Sequence, residues 1–425
     1  VKIFMIRLYQ GSTLVFLFFS TCVNASAPVL SLQDALEKAD SYSPAVKAAL
    51  SRESQAQSRV GISESYYLPD VSVEAIDSTG FPGSTAALGL SGLPASPFRS
   101  GFSAGAVLTQ NIFDFGRTYY GVQAAKYDAE TQQHSTQINR YQTEQGLITA
   151  FMDCALNRAQ ESTWQELSQD TSLVVREVER FVNTGQRSIV DRYLARAQQE
   201  QAKTNTLDFQ TRSSVSQSRV ALITGIRTPF ACPDLNENSN ELSLKSPTEK
   251  ESPFILFAKT RLSASQSRLE QTKAQNLPQL VGIASAGYLQ GTHLVDSQNY
   301  SLGIGIVLPI FEGFRIKDET DQKAAQVEER DYEVQSSQLG LENLNQQYEE
   351  KIQSAKVRVE NLVIELDNAN TAFAVAKKRY FGFQGTLVDV RDSLTNLARV
   401  EGDLNTARAT FFEAQFLKSI LNHQN

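Results

Sequence analysis

Histidine and cysteine are scarce in this 425-residue chain, three of each, and there are only 12 prolines. His134, His293 and His423 are scattered without metal-ligand spacing, and no Ser-His-Asp or Cys-His arrangement is evident. The chain therefore offers neither a metal centre nor a nucleophilic triad, and neither a cofactor nor an enzymatic activity is expected. Gly303-x-Gly305 lies in an alternating stretch without the loop context of a phosphate cradle. A net charge of -7 and the absence of a basic stripe with interleaved aromatics argue against a nucleic-acid partner. No apolar run reaches the about 20 residues of a membrane-spanning helix. The low proline count, with abundant Gln, Ser, Ala and Asn, instead suits long solvated helices in place of one large globular core.

The N-terminus has the pattern of a secretory signal: Lys2 and Arg7, the apolar run Leu14 to Phe19, then small residues, with cleavage expected after Ala25. Ser31 is placed to cap a short helix, with Asp34 completing a capping box. A second helix follows Pro44 to about Tyr67. Its features recur later in one register: Ser43, Pro44, Ala49, Arg52, Gln57, Ser58, Arg59, Leu68 and Pro69 match Ser252, Pro253, Ala258, Arg261, Gln266, Ser267, Arg268, Leu277 and Pro278. The chain is a tandem duplication, divided as 1–25 signal, 26–227 first repeat, 228–252 linker and 253–425 second repeat. Each Leu-Pro opens an extended pair. Val71, Val73 and Ala75 alternate with Ser72 and Glu74, and beyond a loop over 80–100 Phe102, Ala104, Ala106 and Leu108 alternate with Ser103, Gly105, Val107 and Thr109. Val281–Gln290 and Tyr300–Ile310 repeat the pair. Segments of about ten residues with one apolar face fit membrane barrel strands. Tyr66, Tyr67, Phe113, Phe115, Tyr288, Tyr300, Phe311 and Phe314 stand at their ends as an aromatic girdle would. Four strands cannot close a barrel, so insertion requires several chains.

Each strand pair hands over to a long helix. From Arg315 to Phe381 only Gly340 interrupts, which predicts a rod of about 100 Å. Ile352, Ala355, Val359, Leu362, Leu366, Ala369, Phe373, Ala376 and Tyr380 step by four and three residues, the period of a coiled-coil seam, and Val390, Leu394, Leu397, Leu404 and Phe411 resume it. The stretch Arg379–Asp392 is thus the tip of a helical hairpin, and Arg180–Asp191 is a second tip of the same pattern. Cys154 lies about 32 residues above the first tip, roughly 48 Å along a helix, and the partner helix rises roughly 55 Å before Cys232 follows. The two sulfurs stand at similar height, which leaves open a Cys154–Cys232 disulfide or two separate thiols.

These carriers together (tandem halves, Leu-Pro strand openings, the Phe-x-Gly-x-Arg type junctions and the two tips) resemble the TolC family of outer-membrane channel proteins over nearly the whole mature chain. The resemblance implies an α+β homotrimer in which four strands per chain build one twelve-stranded barrel in outer-membrane lipid and long coiled-coil helices form a periplasmic tunnel. It also implies docking with a periplasmic adaptor and an inner-membrane transporter of RND or ABC type, for efflux of drugs or type I secretion of proteins. In the family one Tyr and two Asp near the second tip guard the entrance, with an Asp from the first tip. The matching positions are Tyr380, Asp389, Asp392 and Asp191. One departure stands out: Gly385 occupies a position where the family pattern is basic, and Arg187 or Arg391 is available to supply the charge. Without the resemblance the preferred reading of each Asp is a helix N-cap or a solvated surface residue. The other functional class compatible with the pattern is a periplasmic coiled-coil scaffold or adaptor without a pore, which has no use for the alternating strands.

Overall fold

The computed structural model describes residues 28–79, 100–235, 251–291 and 297–421. Residues 1–27, 80–99, 236–250, 292–296 and 422–425 lie outside them, and with them the expected signal segment, the expected loop over 80–100, most of the expected linker, His293 and His423. In chain order the elements are α1 (Leu32–Tyr42), α2 (Pro44–Glu64), β1 (Asp70–Thr79), β2 (Ser100–Phe113), α3 (Arg117–Asn183) and α4 (Ile189–Thr224), then α5 (Pro253–Lys273), β3 (Gln279–Gly291), β4 (Ser297–Val307), α6 (Arg315–Phe381) and α7 (Leu387–Leu421).

The duplication is visible in the local chemistry. α2 and α5 both carry proline at the first helical position behind a serine, where the missing N–H costs nothing. Both unwind through a single 3-10 turn, Ser65–Tyr67 and Ala274–Asn276, just before the Leu-Pro that starts a strand. At the other end of the first strand pair Asp114 caps α3, accepting from Asn111 Nδ2 at 2.7 Å and from the Thr118 backbone N–H at 2.9 Å. Ser31 caps α1 by accepting from the Asp34 N–H at 3.1 Å.

The four strands form one antiparallel sheet in the order β1-β2-β3-β4. Its register segregates the side chains. One rung is Val71, Leu108, Ala284 and Leu302, whereas the next is Ser72, Val107, Ser285 and Ser301. Val73, Leu302, Ile304 and Ile306 stand exposed on the apolar face, Leu302 at 89%. On the opposite face Gly303 and Gly305 leave the surface thin. β4 ends at Val307, earlier than the alternation suggests, because Pro309 has no N–H to give a ladder. Among the described residues β1 and β4 are the edges of the sheet.

α3 and α6 have 67 residues each, about 100 Å of helix. Each folds back on a shorter partner, α4 or α7, and α5 packs between α3 and α6. The seam residues Leu362, Ala369, Phe373 and Tyr380 are buried with Val390, Leu394, Leu397 and Leu404 of the returning helix, Ala355 is buried farther up, and Ile352, Val359, Leu366 and Ala376 are half-buried. This cluster also takes in Leu167, Val174, Val178 and Phe181 of α3, so both hairpins share one core above the tips. A second cluster, farther up, gathers α1, the middle of α3, the start of the linker and the end of α7. There Cys154 and Cys232 are joined by a disulfide, with Cα atoms 5.7 Å apart. Among the described residues no helix is long and apolar enough to cross a membrane.

Candidate functional site: the paired hairpin tips

Both tips close with the same backbone hydrogen bonds. Gln186 N–H reaches Phe181 O and Gln384 N–H reaches Arg379 O, each at 2.8 Å, while Gly185 and Phe383 donate to Val182 O and Tyr380 O. These are the paired bonds that end a helix through a left-handed residue. Gly185 (φ 74°) fills that position in the first tip, and Phe383 (φ 62°) fills it in the second. Gln186 is therefore equivalent to Gln384, Asp191 to Asp389, and Arg187 to Gly385. The Arg-aromatic pairs that the sequence invites one to align are offset by one residue, so that Phe181 is equivalent to Arg379 and not to Tyr380.

The two equivalent aspartates do different work. Asp389 accepts from the Thr386 N–H at 3.0 Å while Thr386 Oγ1 accepts from the Asp389 N–H at 3.2 Å, a reciprocal capping box at the start of α7. The hydrogen bond from the Thr386 backbone, joined by that with the Thr386 side chain, holds its carboxyl below the usual aspartate range. Asp191 reaches instead across to the second hairpin, where its Oδ2 accepts from Tyr380 Oη at 2.9 Å. The Tyr380 ring is completely buried, and burial first and the Asp191 bond second push its hydroxyl well above the ordinary tyrosine value. The phenol is thus a fixed donor at all working pH values.

Arg187 also crosses. Its Nη2 donates to Tyr380 O at 2.8 Å and to Gly385 O at 3.1 Å, and the guanidinium lies 4.4 Å from the Tyr380 ring centre and 5.2 Å from that of Phe383. Side-chain atoms are not needed at Gly385 for this, and a Cβ there would sit 3.3 Å from Arg379 Cβ. Within the chain, then, Arg187 grips two carbonyls of the second tip, and the arginine beside Asp392 is Arg391, at 2.8 Å. That pair is exposed on both sides and contributes little to stability. Asp389 and Asp392 face solvent on the same end of α7.

Tyr380, Asp191 and Arg187 are thus brought together, and Asp389 and Asp392 stand beside them. Three further contributors escaped the motif reading: Phe181, whose ring lies 4.9 Å from Phe383; Phe383 itself; and Thr386. The Thr386-x-x-Asp389 spacing carried the signal for the last of these.

A lipid-compatible sheet with two open edges, continuous with helical hairpins about 100 Å long, defines a class: membrane-anchored helical ducts. The particular family follows from comparison. A model of the outer membrane efflux protein family matches residues 35–226 and 246–416, and the chain belongs to that family. It is an outer-membrane efflux channel of the TolC-like fold. The outer membrane protein VceC of Vibrio cholerae is similar at 18% identity, with 92% of this chain and 96% of that one covered and a TM-score of 0.76. The open state of the MtrE outer membrane channel of Neisseria gonorrhoeae is similar at 16% identity over 99% of this chain and 98% of that one, TM-score 0.77. The CmeC outer membrane channel of Campylobacter jejuni is similar at 15% identity over 92% and 85%, TM-score 0.75. Among curated protein sequences none matches.

Proposed function

We propose that three copies of this chain form one exit duct running from the outer membrane into the periplasm, closed at its inner end by the hairpin tips. The observation that carries the proposal is the sheet. Four strands with one apolar face and two unpaired edges are unstable alone in lipid or water, and closure by copies of the same sheet removes every edge. Long helices hanging from that sheet would then line a common axis. The adaptor and the inner-membrane transporter, of RND or ABC type, meet this inner end, and drugs or proteins pass through it.

At the closed end Tyr380, Asp191 and Arg187 bind the two hairpins of each chain to one another. Three copies each of Asp389 and Asp392 ring the entrance, attracting cations and resisting close approach unless screened. The capping bonds support this, since they keep Asp389 ionised and hold it at a fixed place on the helix end. Heat-resistant trimers in detergent extracts of outer membranes, conducting in planar bilayers, are the expected result. Release of the protein with the soluble periplasm would refute the duct and favour a scaffold.

A further inference from the structure

The segment that crosses from the first repeat to the second is tied down immediately after α4. Leu30 N–H donates to Ala231 O at 3.1 Å and Ala231 N–H to Pro28 O at 3.0 Å, an isolated parallel bridge between the residues just before α1 and the crossover. Gln217 of α4 donates to Phe230 O, and Arg158, one turn along α3 from Cys154, donates to Cys232 O and lies 3.7 Å from Asp234. The disulfide to Cys154 fixes the centre of this stretch. Phe230, Cys232 and Leu235 are buried in the cluster that also holds Leu30 and, from the far end of the chain, Phe416 and Leu421. The crossover is a belt that joins the beginning, middle and end of the chain at one height.

We infer that closing this belt makes the protein a client of a thiol-oxidising partner, a periplasmic protein bearing a reactive Cys–Cys disulfide. One thiolate of the pair attacks that disulfide, forming a mixed disulfide and releasing one thiol of the oxidant. The second cysteine, as thiolate, then attacks the sulfur of the first, forming the Cys154–Cys232 bond and releasing the oxidant as a dithiol. Two electrons and two protons pass from the chain to the oxidant. Burial sets the order of events. Cys154 is 1% and Cys232 4% exposed, so a protein-sized oxidant reaches them only before the belt docks. The cysteines are 78 residues apart and enclose the whole first tip, so the bond restricts a long loop of the unfolded chain, where such constraint has most effect. The hairpins below have their own apolar core, so losing the bond frees the belt first and the tips last.

The inference rests on export of the chain, not on its being a pore. Its test is to denature the protein without reduction, alkylate it, and count labelled thiols by mass spectrometry, using cells with and without the dithiol oxidant. No label is expected with the oxidant and two labelled thiols without it. Two labelled thiols in protein freshly purified from oxidant-competent cells, or equal labelling in the two strains, would overturn the inference. In parallel, Cys154→Ser/Cys232→Ser should be cut by protease within 226–235 several-fold faster than wild type, and its trimers should dissociate at lower temperature. If the serine pair does not fold, Cys154→Ala/Cys232→Ala replaces it in the apolar site. Protease resistance equal to wild type in either variant counts against the belt. The thiol count does not read conduction, so a bonded but non-conducting protein would fault the duct and leave this inference standing.

Discussion

The two hairpin tips are built on one backbone plan and differ in what their side chains are asked to do. The first tip reaches out: its glycine takes the left-handed position at no steric cost, and Asp191, as acceptor, and Arg187, as donor, both extend away from it into the neighbouring hairpin. The second tip is a receiver. It offers the Tyr380 hydroxyl and two carbonyls to those side chains, and it keeps its own Asp389 at home to cap α7. Duplication supplied two equivalent turns; divergence at Arg187/Gly385, and different partners for the equivalent Asp191 and Asp389, made one tip reach across to its neighbour while the other caps its own helix. A basic side chain at 385 would compete with Arg187 for the same carbonyls, which gives a physical reason for glycine there.

The largest effect is expected where the second tip carries charge that the first does not present. Asp389→Asn with Asp392→Asn removes six carboxylates from a trimer, so cation preference should largely vanish and block by multivalent cations should weaken by an order of magnitude or more. Single-channel recordings in planar bilayers decide this, and unchanged selectivity would remove these residues from the entrance. Acid titration of the wild-type channel sharpens the point. Because the Thr386 bonds depress the Asp389 pKa, its charge and the capping contribution it makes to folding are complete above the unfolded-state value and are lost only as pH falls through the lower, folded one. Cation preference should therefore outlast the pH at which a free aspartate is half protonated.

Next in size is the grip of the first tip on the second. Arg187→Ser deletes two charge-assisted hydrogen bonds and two ring contacts between hairpins. Closed-state conductance should rise several-fold, and identical conductance would exclude Arg187 from closure. Arg187→Lys should recover only part, since an ammonium cannot span two carbonyls while lying flat on a ring. Tyr380→Phe is milder: it removes one hydrogen bond, worth about 1–2 kcal/mol when its partner is a carboxylate left half-buried. The same recordings should show a smaller rise than for Arg187→Ser, and Asp191→Asn, which can still accept the bond, should fall below both.

Much of this was legible beforehand. Helix ends and strand starts were announced by Ser-Pro and Leu-Pro pairs, and the long seams by strict periodicity, because each of those features is a local steric or burial requirement. The partners of Arg187 were not legible. A long side chain chooses among groups supplied by a turn 193 residues away, and both partners are backbone atoms that leave no trace in residue types. The second tip also hid its turn: a glycine invites the left-handed conformation, yet Gly382 has φ -86° and the next residue, Phe383, takes it at 62°. The helix runs one residue further than the glycine suggests because Phe383, so placed, packs on Phe181 and under Arg187.

That trade gives the smallest and most discriminating prediction. A non-glycine residue in the left-handed region costs about 1–2 kcal/mol. At position 185 nothing lies within 4 Å of an added Cβ, so Gly185→Phe bears the backbone cost with no clash and no aromatic partner already in place. In Phe383→Gly the backbone cost is recovered, while a half-exposed ring and its contacts with Phe181 and Arg187 are lost, each contact worth about 0.5–1.5 kcal/mol. The two mutations are therefore not mirror images. Hydrogen exchange at the turn-closing amides reads the local difference without requiring the whole trimer to unfold reversibly. The Gln186 N–H should exchange about fivefold or more faster in Gly185→Phe. The Gln384 N–H should change by less than about threefold in Phe383→Gly, because gain and loss nearly cancel. Strong protection gained at Gln384 would mean that the ring contributes nothing to the tip, and a tenfold loss would mean that its contacts with the first hairpin outweigh the strain they impose.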